Sequence, residues 1–334
     1  MALHVLAKIF PVWHLIMIHK TNLILDKCAM TFSQNYSKIA ALIILSAFPG
    51  LSQANPVACF TSNMGQFCME LFERRAPGTV ANFIRYIDSG AYAQSIFHRS
   101  MPGFVIQGGG FKVTGSNSGA KVSAVDVFDP IENEFGISNM RGTVAMAKVG
   151  GDPDSATSQW FVSLADNSAN LDNQNGGFTV FAKILYDGMA IFDAIAALQR
   201  VNFGGALSTT PTINFDVTQT PQIDNFVVIS SVDLHDVTGV FDGTAVGFAV
   251  DIGNNNFFDV KLHLVAAESG IVFELDPDSI TSLSAVPGSR ATFSAGDGVL
   301  IIPSVMINET TIVKNVVLAL TNPVSFQFAL VSFE

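Results

Sequence analysis

Apolar and polar residues alternate in short runs over most of the chain, and helical stripes are few. Residues 57–60 and 66–72 alternate on either side of the turn signal Thr61-Ser62-Asn63-Met64-Gly65 and predict a hairpin. Pro77-Gly78-Thr79 then opens a helix in which Val80, Phe83, Ile84 and Ile87 recur at helical spacing, and Gly90 ends it. Strands are predicted over residues 95–99 and 104–109. In the second, alternation sends Phe104 and Ile106 to one face and Val105 and Gln107 to the other. Residues 112–128 are rich in Gly and Ser and read as a long surface loop. Further strands are predicted over 143–148, 158–165 and 178–184. Between them lie a polar loop at 150–157, the turn Asp166-Asn167-Ser168 and a loop over 171–177. Residues 188–198 read as a second helix with Ile191, Phe192, Ile195 and Leu198 inward. A loop over 203–222 and a strand over 226–234 follow. Many short strands, two helices and regular turn signals predict a mainly β fold, a closed barrel capped by helices.

From about Thr238 the texture changes. Residues 240–334 hold alternating strands and Asn/Gly turns, with no helical stripe. A weak internal repeat runs through them. Val260-Lys261-Leu262-His263-Leu264 recurs as Val316-Val317-Leu318-Ala319-Leu320, and Val272-Phe273-Glu274-Leu275 as Ser325-Phe326-Gln327-Phe328. The offset is 56 at the leucines and 53 at the phenylalanines. Two similar halves predict a small all-β, sandwich-like domain. The expected division is therefore 1–54, 55–237 and 238–334.

Composition adds three points. The chain has 334 residues, is 49% hydrophobic and only 13% charged, so it can bury sizeable cores. Residues 1–54 hold four Lys and one Asp, which leaves 13 basic and 27 acidic residues downstream, net −14. A surface this acidic argues against nucleic acid and anionic membrane as partners. Third, Lys38 precedes a short apolar run at 40–49 and the small residues of Leu51-Ser52-Gln53-Ala54, the plan of a signal peptide cut after Ala54. That run is too short for a membrane span, so none is expected in the mature chain. The reading places the start at Met30; the alternative is an anchor at 5–18. Periplasmic or secreted location follows. Cleavage leaves Cys59 and Cys68, which flank the first turn and sit opposite or nearly so on a tight hairpin; a disulfide is expected in an exported protein. A lipid anchor on Cys59 fits poorly, because Pro56-Val57-Ala58 lacks the usual leucine.

The chemistry-bearing residues cluster in two stretches. The first is Phe97-His98-Arg99, Pro102-Gly103-Phe104 and Ile106-Gln107-Gly108-Gly109. The second comprises Gly142-Thr143-Val144-Ala145-Met146-Ala147, Asp152-Pro153-Asp154-Ser155-Ala156-Thr157-Ser158-Gln159-Trp160-Phe161, Asn170-Leu171-Asp172 and Phe178-Thr179-Val180-Phe181. Together they resemble a cyclophilin-type peptidyl-prolyl isomerase of the bacterial exported type, over roughly residues 55–236. The resemblance implies a closed eight-stranded barrel with two capping helices. It also implies acceleration of X–Pro isomerisation in polypeptides, with no cofactor and no metal.

Such chemistry needs little. The X–Pro barrier of about 18–20 kcal/mol is loss of amide resonance, and at the twisted transition state the proline nitrogen becomes pyramidal and basic. One fixed donor there stabilises the transition state over the planar ground state. The resemblance assigns that donor to Arg99, with Gln107 orienting it and touching the peptide. It assigns the proline pocket to Phe104, Val105, Phe161 and Leu171. Ala147 and the backbone of Lys148 would pair with the extended substrate beside Gln159. Three positions depart from many relatives. Val105 replaces methionine and keeps the pocket apolar. Asn170 replaces the tryptophan of cyclosporin-sensitive relatives, so weak cyclosporin binding is expected. Phe178 replaces histidine. His98 reads as a structural hydrogen-bonding group.

Other signals lead nowhere. Gly108-Gly109-Gly110 lacks the lysine and helix start of a phosphate loop. His98, His235 and His263 are scattered, and Asp152, Asp154, Asp166 and Asp172 match no calcium-loop spacing and read as solvated loop carboxylates. Two alternatives stand beside the enzyme. One is a non-catalytic proline-peptide binding or chaperone module recruited by its C-terminal domain, whose partner is unknown. The other makes the C-terminal domain the main functional part.

Overall fold

The computed structural model of the chain describes residues 56–116, 119–266, 270–283 and 288–334. The expected leader, with Met30, the cut after Ala54, the alternative anchor and Cys28, lies outside the described residues.

The strands of the first domain are β1 (Val57–Ser62), β2 (Gly65–Leu71), β3 (Arg99–Met101), β4 (Val105–Gly108), β5 (Phe111–Ser116), β6 (Gly119–Ala124), β7 (Thr143–Met146), β8 (Trp160–Ser163), β9 (Val180–Ile184), β10 (Gln199–Val201), β11 (Thr210–Thr212) and β12 (Ile229–His235). Eight of them form one sheet in the order β12-β1-β2-β9-β7-β8-β4-β3. Its ends meet just before β3 and β12: Gln94 N donates to Ile229 O at 2.8 Å, Ile229 N to Ser95 O at 2.8 Å and Phe97 N to Val227 O at 3.1 Å. The ring is therefore closed, and the side chains that alternation points inward fill it. Phe60, Phe67, Phe83, Phe97, Trp160, Phe181 and Phe192 are all fully buried, and Phe60 stacks on Phe67 with ring centroids 5.0 Å apart.

Two helices close the barrel, α1 (Pro77–Asp88) and, after a short α2 (Ser168–Leu171), α3 (Gly188–Ala197). Ala76 gives α1 no side-chain cap. A distant carboxylate substitutes: Glu134 accepts from Gly78 N at 3.0 Å and from Thr79 N at 2.7 Å, an anion on the positive end of the helix. The single turn α2 was not expected, because its Ser-Ala-Asn-Leu is too short to show periodicity.

The surface loop expected over 112–128 is corrected over 112–116 and 119–124, which fall in the antiparallel β5–β6 pair, with Val113 opposite Val122. Its apolar face packs on Ile96, Phe226 and Val228. The Gly and Ser content masked an alternation that only this neighbouring patch makes decisive. The strand expected over 104–109 begins at Val105, and that over 226–234 is shifted to Ile229–His235.

The second domain contains β13 (Gly239–Phe241), β14 (Ala245–Asp251), β15 (Phe257–Ala266), β16 (Val272–Leu275), β17 (Thr281–Leu283), β18 (Ala291–Ser294), β19 (Val299–Asn308), β20 (Thr311–Asn322) and β21 (Gln327–Ser332). The internal repeat appears as two meanders, β14-β15-β16 and β19-β20-β21, joined where β16 pairs β21 antiparallel. The other ends join where β14 pairs β18 in parallel. The two faces expected of a sandwich are thus linked into one hydrogen-bonded ring around Phe248, Val260, Leu262, Ile302, Leu318 and Phe328.

The domains pack directly on each other. Val57, Cys59, Cys68 and Leu185 of the first share an apolar cluster with Val240 and Met306 of the second. Arg74 Nε donates to Asp259 at 2.8 Å, and Tyr186 OH donates to Met306 O at 3.1 Å. Cys59 and Cys68 lie opposite each other in the β1–β2 register and form a disulfide, with Cα atoms 4.0 Å apart. No helix of the described residues is long and apolar enough to cross a membrane.

Candidate functional site

Sheet register assembles the site. Arg99 on β3 faces Gln107 on β4, Gln107 faces Phe161 on β8, and Phe161 faces Ala145 on β7. Directly paired residues project to the same face, so these four side chains form a row across the outside of the barrel. Val105 stands two residues along β4 and shares that face; Ala147 and Gln159, one residue beyond the ends of β7 and β8, extend that pairing, with Ala147 N donating to Gln159 O at 2.9 Å.

At one end of the row is a polar relay. Arg99 donates an N–H to Gln107 Oε1 at 3.3 Å, and Gln107 Nε2 donates to Gln159 Oε1 at 2.8 Å. Among the described residues no carboxylate pairs with Arg99. Burial pulls its pKa down, so the guanidinium is a half-buried cation that, among the described residues, hydrogen-bonds a neutral amide. His98 lies just behind, 2% exposed and edge-on to Phe111. Burial, then the nearby Arg99 charge, lower its pKa to about 4. It is neutral at pH 7 and leaves Arg99 as the local charge.

At the other end is an apolar floor. Val105, Ala145, Phe161, Leu171 and Val180 are buried in one cluster, with Phe104, Ala147, Phe178, Phe72 and Ile137 packed against it. All six expected apolar site residues are therefore in this cluster. Phe104 reaches it in a way that alternation did not predict. It sits in the turn before β4, its N–H bonded to Met101 O at 2.9 Å, so it joins Val105 outside while Ile106 enters the barrel core. Phe161 and Phe178 meet edge-to-face at 5.7 Å.

Two expected residues are placed differently from the rest. The Lys148 ammonium donates to Asn133 Oδ1, Asn175 O and Gly177 O at 3.1, 2.8 and 2.6 Å, so its side chain braces a loop. Asn170 is exposed, and its amide oxygen accepts from Gln174.

Sequence reasoning missed the residues that hold the floor in place. Asn139 is fully buried; its Nδ2 donates to Asp172 Oδ1 at 2.9 Å and to Phe178 O at 3.0 Å. Asn167 Nδ2 donates to Phe104 O at 2.9 Å. Asp172 is thus not a solvated loop carboxylate as expected. Burial pushes its carboxyl up, but hydrogen bonds from Asn139 and Ser138 outweigh this and hold it below the usual range. Asn139 lies in a polar loop with nothing local to mark it. The glycines do have a legible role. A Cβ on Gly110 would stand 2.7 Å from Gln159 Cδ, and one on Gly109, at φ +75°, 2.5 Å from Ser158 O. The backbone must run this close for Gln159 to reach Gln107.

An unpaired guanidinium thus stands in one row with an apolar floor. Residues 57–221 match the family described as cyclophilin type peptidyl-prolyl cis-trans isomerase/CLD. A peptidyl-prolyl cis-trans isomerase of Acinetobacter baylyi is 40% identical over 154 residues, covering 45% of this chain and 77% of that protein. Peptidyl-prolyl cis-trans isomerase A of Dickeya dadantii is 41% identical over 43% of this chain and 73% of its own length. Isomerase B of Escherichia coli is 41% identical over 41% and 81%. A Cryptosporidium parvum cyclophilin type isomerase, solved in the presence of dipeptide ala-pro, is 22% identical with a TM-score of 0.38, covering 54% of this chain and 98% of that one. The chain belongs to the cyclophilin-type peptidyl-prolyl cis-trans isomerases and is an isomerase enzyme with an additional C-terminal β domain.

Proposed function

We propose that this chain accelerates X–Pro isomerisation in exported polypeptides by transition-state stabilisation from Arg99, without covalent chemistry. The observation that carries the reading is the cross-strand row in which the unpaired Arg99 guanidinium, oriented by Gln107, stands next to the Phe104–Val105–Phe161–Leu171 floor. A proline ring on that floor brings its nitrogen toward the guanidinium. As the amide twists, the nitrogen lone pair is freed and accepts an N–H. That interaction is stronger in the transition state than in the planar ground state and lowers the barrier. Each ~1.4 kcal/mol of differential stabilisation is about tenfold in rate. The backbone at Ala147 and Lys148 grips the extended peptide, with Gln159 beside it.

Export is supported by the signal-peptide plan before Asn55 and by the Cys59–Cys68 disulfide. The protein should be recovered outside the cytoplasm with its N-terminus at Asn55; confinement to the cytoplasm would remove the export reading, and a chain starting upstream would remove the cut after Ala54.

The test of the activity is cis/trans exchange of an Ala-Pro peptide by NMR, without a coupled protease, with the intact protein and with Arg99→Ala. Fast exchange that collapses in a folded variant supports Arg99 as the electrostatic centre. No acceleration by the folded intact protein would overturn the catalytic reading and favour a proline-peptide binding module.

A further inference from the structure

Phe178 packs on the apolar floor as a half-buried ring, edge-to-face with Phe161 at 5.7 Å. Its backbone is fixed: the N–H donates to Leu171 O at 3.0 Å, and the carbonyl accepts from Asn139 Nδ2 at 3.0 Å. The ring itself has a second neighbour. The Lys148 ammonium stands 4.9 Å from its centroid, inside the roughly 6 Å over which a cation is attracted to an aromatic face.

That ammonium is held in one place. It donates to Asn133 Oδ1, Asn175 O and Gly177 O, which matches its three N–H groups with three acceptors. All three acceptors are neutral, and among the described residues Lys148 forms no ion pair. Burial lowers its pKa and outweighs the opposing charges of Asp154 and Asp152. Asn133 anchors the point to three segments. Its Oδ1 also accepts from Thr179 Oγ1 at 2.7 Å, its Nδ2 donates to Gly176 O at 2.7 Å, and its backbone N donates to Asp154 Oδ1 at 2.9 Å. Asn175 Nδ2 donates to Val149 O at 2.9 Å. The chain around 133, 148–154 and 175–179 thus converges on one ammonium, and Phe178 lies within the last of these segments.

We propose that the side chain of Lys148 is a positioning residue for the proline pocket. Its ammonium, fixed on Asn133, Asn175 and Gly177, holds the Phe178 ring against Phe161 and so sets the wall on which a substrate proline packs. This inference rests on the isomerase reading above and is separate from the grip of the Lys148 backbone on the peptide. The task needs both a positive charge and several donors: methionine keeps the length of the stem and supplies neither, whereas arginine supplies both.

The experiment measures kcat and KM for an Ala-Pro tetrapeptide by NMR exchange. The proteins are the intact chain, Lys148→Met, Lys148→Arg, Phe178→Leu, and Lys148→Met combined with Phe178→Leu. Lys148→Met should raise KM about three- to tenfold, the range of a partly desolvated cation–ring contact, with kcat held within about twofold because the Arg99–Gln107 pair is untouched. Lys148→Arg should bring KM back to within about twofold of the intact protein. Phe178→Leu should raise KM by itself, and adding Lys148→Met to it should change KM by less than about twofold more, since the lysine acts through the ring. An unchanged KM in Lys148→Met, a loss confined to kcat, or single effects that simply multiply in the double variant would overturn the proposal. Should Lys148→Met fail to fold, Asn133→Ala removes one acceptor from outside the pocket; a KM raised about two- to fivefold supports the proposal and an unchanged KM overturns it. Absence of turnover by the intact protein refutes the isomerase reading instead. The proposal is then decided by the Kd of the same peptide: weaker binding by Lys148→Met supports it, and equal binding, or none by either protein, overturns it.

Discussion

Lowering the pH from 7 to 4 should destabilise this protein through His98. The imidazole is 2% exposed, with Arg99 next in sequence, and these hold its pKa at about 4 against 6.5 in an unfolded chain. The sign follows from proton counting. Between those two values the unfolded chain binds a proton on this residue that the folded protein does not, so acid favours unfolding. The stabilisation is intact above pH 6.5 and is lost as the pH falls toward 4. At 1.36 kcal/mol per unit the full difference is about 3 kcal/mol, and about 2 kcal/mol is already gone at pH 5. Urea unfolding at pH 7, 6, 5 and 4, in parallel with His98→Asn, measures it. Carboxylates such as Asp172 and Asp242 also titrate at the acid end, but they are common to both proteins and cancel in the comparison. The variant has its own stability offset; the quantity read is the difference in slope. Wild type should lose about 2 kcal/mol more than the variant between pH 7 and pH 5. Parallel profiles would refute the reasoning and mean that His98 charges in place, beside Arg99, without penalty.

Three further outcomes are expected. Gly110→Ala puts a Cβ where Gln159 Cδ is now 2.7 Å away, so Gln159 must shift and release Gln107. Peptide exchange should slow about three- to tenfold while the denaturation midpoint moves little, and an unchanged rate would show that the relay does not orient Arg99. Reducing the Cys59–Cys68 bond, which closes a loop of nine-residue separation, should lower stability by about 2–3 kcal/mol on the loop-entropy model, with tetrapeptide turnover retained; equal denaturation curves with and without dithiothreitol would contradict this. Arg74→Ala strips the partner from Asp259, whose carboxyl burial already pushes up. The interface should weaken by about 1–3 kcal/mol, read as a lower melting temperature that Asp259→Asn in the same chain partly restores.

The sequence by itself determined the mainly β class, the hairpin that brings Cys59 opposite Cys68, the helices that begin at Pro77 and Gly188 and the repeat in the last hundred residues. These follow from local physics: period-two alternation, turn residues and helix punctuation act over a few positions and need no distant partner. The resemblance to cyclophilins rests on ordered short motifs, and these single out Arg99, Gln107, Gln159 and the apolar floor residues without any geometry. The tertiary structure alone decided whatever depends on residues far apart in the chain. Strands β5 and β6 pair because the Ile96–Phe226–Val228 patch is there to cover one face. Phe104 joined Val105 because a turn, held by Asn167 from 63 positions away, overrides strand alternation. Asp172 acquired a buried partner in Asn139, and Lys148 was drawn into a loop brace. The second domain closed into a ring through the parallel β14–β18 and antiparallel β16–β21 pairings, contacts that no local pattern encodes. Ile137 of the first domain and Lys261 of the second line one cleft only because two independently patterned domains meet there. Local sequence sets the conformation of each segment, whereas burial and hydrogen-bond satisfaction, which are summed over the whole fold, choose the neighbours.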